Sequence, residues 1–341
     1  MYLLFNFFSA FWNLPDVTHV FNNGYDREEE DLKVPRNNTF EYVNENIDKW
    51  NRNINIRIVD PSGKVEEGIG RGVKKEVVFL YFNFFKERMC LGRNNYIPRN
   101  DSEENMLRKV GQFLRMAYEE FHYFPTYICK SFFCALLYGI VIDDNSFSND
   151  LLNLLDEEYV KEIEIAKKVL PCLKHEEIMI IVLENVNVYL EFKRGSSENV
   201  MMWELAFAVM IKNSERARNI LREVLVPNDV PFIAKEALEA MYLKPDYDDL
   251  EKKLKCEEGE NVTYNNLKTY LKKNPGMIGP FLQFVTGLDY LYEEIEICVH
   301  DGDTFKVSVC GNKIDIPNIS NYERFEEALS SVLISPKFNT Y

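Results

Sequence analysis

A chain of 341 residues is long enough for two hydrophobic cores, because a single core stops growing near roughly 250–300 residues. Apolar residues at 46% and charged residues at 28% are globular proportions, which exclude a disordered or membrane-embedded class. The formal net charge of −15, with no dense Lys/Arg cluster to reverse it locally, excludes a sequence-independent grip on nucleic acid.

The opening residues, from Met1 to Trp12, are apolar, lack a basic leader and are too short to cross a bilayer. A buried N-terminal helix is expected there, and no membrane partner. Residues 24–38 are polar and contain Pro35, as in a surface connection. Leu107, Val110, Phe113, Leu114 and Ala117 recur at helical spacing and predict one buried face, and a second helical stretch is expected after Pro125. Residues 150–225 read as mostly helical. Within them Ile178–Leu183 is a strand or a buried helix, and Arg194–Asn199 is a loop.

A polar run from Cys256 precedes a change of pattern. The expected fold is therefore α+β and two-lobed: a large, mainly helical N-lobe over 1–255, a hinge at 256–263 and a small α/β C-lobe over 264–341. In the second lobe Thr286-Gly287 is expected to end a helix, since glycine tolerates the left-handed cap conformation. Two alternating runs, 294–300 and 304–310, flank Asp301-Gly302-Asp303 and predict an antiparallel hairpin. In that register Ile295, Ile297 and Val299 face the core with Phe305, Val307 and Val309. Cys310 falls on the polar face opposite Glu294. Ser320-Asn-Tyr-Glu323 reads as a capping box, with Tyr322, Phe325, Leu329 and Val332 as the buried stripe of the helix that follows.

The seven cysteines are odd in number and contain no CxxC pair, which points to a reducing compartment, cytoplasmic or nuclear. The four histidines are scattered. Cys298 with His300 would lack two ligands, so no metal site is expected. Cys310 is the candidate nucleophile. It ends a strand on the polar phase, Gly311 after it allows a sharp turn, and a thiolate needs exposure before it needs a shifted pKa.

The end of the chain resembles the HECT family of ubiquitin ligases. Phe281-Leu-Gln-Phe-Val-Thr-Gly287, Val309-Cys-Gly-Asn-Lys-Ile-Asp-Ile-Pro317 and Ser320-Asn-Tyr-Glu-Arg-Phe-Glu-Glu-Ala-Leu329 are similar to its FLQFVTG, TCFNxLDLP and SYExLxxKL motifs, in order and approximate spacing. Weaker likenesses lie at Glu67–Gly72 with Lys75-Glu76, at Gly111–Ala117 and at Ala237–Tyr242.

The resemblance implies that Cys310 accepts ubiquitin as a thioester and that Phe338, fourth from the end, helps pass it to lysine. Asn312 and Asp315 keep their motif positions. Asp315 is either a loop-capping side chain or a group near the incoming amine. The implied partners are ubiquitin, a ubiquitin-conjugating enzyme and a protein substrate, with no cofactor. Residues 160–230 do not align, and the resemblance implies docking of the conjugating enzyme there, through apolar side chains between 178 and 211. Trp203 and Phe207, four apart on one helical face, are the candidate anchors. Two departures stand out: the family's His-Thr before the cysteine is Ser308-Val309, and its Phe after it is Gly311. They leave open a non-catalytic scaffold that keeps the fold and binds ubiquitin or a conjugating enzyme. A Cys-His hydrolase is disfavoured, because His300 is expected at the far end of the strand from Cys310.

Overall fold

The helices and strands of this protein follow the apolar spacing of its sequence over most of the chain, as the computed structural model shows for residues 31–50, 54–66, 70–139, 145–256, 259–308 and 311–334. The expected N-terminal helix over 1–12, Cys310 and Phe338 lie outside these described residues. The class is mixed α and β, with helices predominating over small sheets.

The first part runs β1 (Leu32–Pro35), α1 (Thr39–Glu45), β2 (Ile56–Val59), α2 (Arg71–Met89), β3 (Cys90–Gly92), β4 (Tyr96–Pro98), α3 (Glu104–Phe121) and α4 (Lys130–Tyr138). It continues with α5 (Asn145–Leu154), α6 (Glu157–Val169), β5 (Ile178–Leu183), β6 (Val188–Lys193), α7 (Glu198–Ala206), α8 (Glu215–Leu225) and α9 (Lys235–Met241). The stripe expected on α3 is buried at all five positions. Its Phe113 packs with Trp50, Tyr81 and Phe82 in an aromatic cluster whose ring centroids lie 4.4–6.0 Å apart. Gly111 lets α3 approach α8 closely, since a Cβ there would meet the Val224 side chain at 3.1 Å. The polar stretch around Pro35 is partly a strand: β1 pairs in parallel with β2, burying Leu32, Val34, Ile56 and Ile58. The loop at 194–199 is shorter than expected, because the Ser197 side chain accepts from Val200 N and starts α7.

The second part comprises α10 (Tyr247–Glu251), β7 (Leu254–Cys256), α11 (Val262–Lys273), α12 (Ile278–Thr286), β8 (Ile295–His300), β9 (Lys306–Ser308), β10 (Lys313–Pro317) and α13 (Tyr322–Ile334). Its buried residues form a core separate from that of the first part, built by Leu267, Leu271, Phe281, Ile297, Ile314 and Phe325 among others. Both cores lie within one compact unit of the chain. The break between them falls earlier than the polar run at 256–263. Leu250 and Leu254 already belong to the second core, β7 pairs with β8, and Asn261 caps α11 by accepting from Tyr264 N.

The expected hairpin of 294–300 with 304–310 does not form. The sheet order is β7-β8-β10-β9, with β8 parallel to both β7 and β10, and β9 antiparallel to β10. Alternation fixed the faces correctly, since Ile295 and Ile297 are buried while Glu296 and Cys298 are not. It carried no information about partners. β10 takes the central place because Ile314 and Ile316 are fully buried on the core side. Glu294 pairs with Lys255 at 2.6 Å. The expected capping box is also displaced by one residue. The Asn321 side chain accepts from Arg324 N at 2.9 Å, and the helix begins at Tyr322. Phe325, Leu329 and Leu333 are its buried stripe, with Tyr322 and Val332 half-buried beside them.

Candidate functional site

β9 and β10 are the antiparallel pair at one edge of the sheet, and Gly311 and Asn312 are the described residues between them. Gly311 N donates to Ser308 O at 3.0 Å. Asn312 then takes a left-handed conformation, φ 49°, which asparagine tolerates better than most residues. Its carbonyl accepts from Glu296 N at 3.0 Å, and its side-chain amide donates to Glu293. The Asn312 side chain is buried, while its partner Glu293 is exposed.

Thr286 and Gly287 end α12 as expected, with Gly287 at φ 76° and its N–H bonded to Gln283 O. The Thr286 hydroxyl donates to Leu282 O at 2.8 Å and accepts from Leu288 N at 3.1 Å, which directs the chain out of the helix. Beyond it, Leu288 to Tyr290 leave the second core and pack on the first, while Leu291 packs against the second. Leu288 and Tyr290 are buried in the first core, the Tyr290 hydroxyl donates to His122 O, and Asp289 accepts from the Thr126 hydroxyl at 2.6 Å. The Tyr292 ring stacks on His122 with centroids 4.3 Å apart. Burial lowers the His122 pKa, opposed by Glu293 and assisted by Arg71 and Lys75. Thr286 and Asn312 thus line one narrow cleft between the two cores, faced by Arg71, Lys75 and Phe121. Nothing in the sequence singled out residues 288–293, because their apolar side chains follow neither a helical nor a strand period.

Asp315 does not cap a loop. It lies within β10, half-buried, beside Cys298 of β8 and Lys306 of β9 in the strand registers. The sheet face opposite the second core therefore carries Glu296, Cys298, Lys306, Lys313 and Asp315, with Lys313 bonded to Glu296. His300 is at the other end of this sheet, paired in register with Pro317, and its ring accepts from Gly302 N.

Trp203 and Phe207 are half-buried against the first core and stack on one another at 5.1 Å with their planes 13° apart. They are neither fully buried nor the most exposed apolar side chains of the 178–211 region. More exposed are Ile178 and Ile180 of β5 at 50%, Val182 of β5 at 43%, its partner Tyr189 of β6 at 58%, and Val200 of α7 at 46%. The other face of β5, with Ile181 and Leu183, is buried. In a run of six apolar residues the sequence shows no alternation, so the exposed face was not legible there. No helix among the described residues is long and apolar enough to cross a membrane. Compared with known proteins, the chain matches no family model and no curated protein.

Proposed function

We propose that this chain is a ubiquitin ligase of the HECT type, which accepts ubiquitin on Cys310 and passes it to a substrate lysine. One observation carries the reading. Three motifs that resemble the family in order and spacing have their described residues on successive parts of one core: Phe281–Gly287 is the end of α12, Lys313–Pro317 is β10, and Ser320–Leu329 enters α13. The Cys310 thiolate attacks the carbonyl carbon of the thioester on a conjugating enzyme and expels that enzyme's cysteine thiolate. A substrate amine then attacks the new thioester, loses a proton and releases the Cys310 thiolate. Neither step calls for a metal or an organic cofactor.

In this reading the conjugating enzyme docks on the exposed face of β5, with Ile178, Ile180 and Val182 as anchors in place of Trp203 and Phe207. Asp315 is the third residue of β10, three positions after Asn312, and has a role near the incoming amine. Phe338 holds lysine and thioester in reactive geometry during discharge. The ligase acts on proteins of the cytoplasm or nucleus. The test is incubation with activating enzyme, ubiquitin and a broad panel of conjugating enzymes. A thiol-sensitive adduct of one ubiquitin supports the proposal, whereas the absence of any adduct, with a conjugating enzyme still bound, leaves the scaffold as the function.

A further inference from the structure

A cleft of about 500 Å³ opens in the first part of the molecule, reached by the β5–β6 turn but not by the exposed face of β5. Its walls are the last turn of α2, the β3–β4 pair and the start of α6. Two cations converge on it. Lys86 comes from α2 and is held over the rings of Tyr96 at 4.5 Å and Tyr127 at 5.4 Å. Arg99 follows β4, and its Nε donates to Cys90 O at 3.2 Å.

Neither cation forms an ion pair with a carboxylate among the described residues, and the terminal guanidinium nitrogens of Arg99 make no hydrogen bond there. Nearby cations behave differently: Arg88 pairs with Glu41 and Arg93 with Glu157. In a chain of net charge −15, two uncompensated cations at one cavity need a reason.

The cleft also carries two carboxylates, Glu87 and Asp156. Lys86 and Arg99 both act on the Cys90 thiol at its base, pulling against the burial that pushes that thiol well above its ordinary pKa. Asp156 lines the side formed by α6 and is occupied by the Asn185 amide at 3.2 Å, and Glu87 is exposed. The cleft therefore holds two cations that no described carboxylate pairs, with Tyr96 and Tyr159 among its aromatic wall.

We propose that this cleft binds a small organic oxyanion, its phosphate or carboxylate group held between Lys86 and Arg99 and its body against Tyr96 and Tyr159. The ammonium is preset by its two aromatic neighbours, and the guanidinium is oriented by the Cys90 carbonyl with its fork left open. Both lose little freedom when an oxyanion arrives.

The test is isothermal titration calorimetry on the full chain with two probes, inorganic pyrophosphate and citrate, which separate a phosphate ligand from a carboxylate one. Wild type should bind at least one probe saturably at a single site. Arg99→Gln and Lys86→Met should each weaken that binding at least about tenfold, the effect of losing a charge-assisted hydrogen bond. Arg108→Gln removes an equal charge from α3 and should leave binding unchanged. Arg99 is exposed, so its variant folds normally and decides the question even if Lys86→Met loosens the tyrosine packing. The proposal is overturned if neither probe saturates, or if Arg99→Gln binds as wild type. It is equally overturned if all three variants weaken binding alike, which is general charge attraction. No ubiquitin chemistry enters this measurement, so its outcome is independent of the ligase reading.

Discussion

Replacing Ile178, Ile180 and Val182 together by Thr should weaken the use of a conjugating enzyme by about two orders of magnitude without unfolding the protein. Threonine keeps the β-branch that suits a strand while removing apolar surface. Fully burying such a side chain is worth about 1.5–3 kcal/mol, and 43–50% of each of these remains exposed. Covering the remainder is therefore worth about 1 kcal/mol per residue, or about 3 kcal/mol for the three, and each 1.4 kcal/mol is tenfold in affinity. The assay is the initial rate of ubiquitin loading against conjugating-enzyme concentration. The half-saturating concentration should rise about 100-fold while the saturated rate is kept, and the urea midpoint should stay close to wild type. Loading that is unchanged in the triple variant, or lost in Trp203→Ala alone, refutes β5 as the docking face and returns it to the stacked Trp203–Phe207 pair.

Phe338→Ala should load ubiquitin normally and discharge it to lysine slowly in a pulse-chase experiment, since only discharge needs lysine and thioester held together. Equal impairment of both steps would make Phe338 a packing residue. Asn312→Gly should cost about 1–3 kcal/mol in urea unfolding by losing the amide bond to Glu293, and Asn312→Ala about 1–2 kcal/mol more, because alanine must also adopt the left-handed conformation. The reverse order would mean that the turn does not depend on its backbone geometry. The His122 pKa lies below its unfolded value of 6.5. As pH falls through 6.5, the unfolded chain takes up the proton first, so stability should fall from there down to the folded pKa and then level off. His122→Asn should flatten that step. A stability that instead rises over the same interval contradicts the burial of the ring.

Helical spacing was enough to place α3 and its buried face, because five apolar residues at periods of three and four leave one orientation. A single glycine after Thr286 was enough to end α12. What the sequence left ambiguous has physical causes. Period-two alternation says which face of β8 is buried and nothing about its neighbour, so β10 was missed as the strand between β8 and β9. The same limit hid the exposed face of β5, where every position is apolar. Ser320 and Asn321 are both good caps, and only the observed bond from Arg324 N chooses between them. The boundary between cores was set late because α10 and β7 are short, and their contribution depends on Leu250 and Leu254 meeting strands and helices distant in sequence. Asp289 and Tyr290 join the first part through contacts across more than 160 positions, which no local pattern encodes.

The central claim concerns one sulfur among seven, and site mapping of the ubiquitin adduct addresses it most directly. Wild type and Cys310→Ser are loaded under identical conditions, digested without reductant and read by mass spectrometry for the modified residue. The account predicts a thioester on Cys310 in wild type that hydroxylamine or thiol releases, and a thiol-resistant ester on the serine of the variant. It predicts no ubiquitin on the cysteines at 90, 129, 134, 172, 256 or 298. A thiol-sensitive adduct that persists in Cys310→Ser at the wild-type level would contradict it.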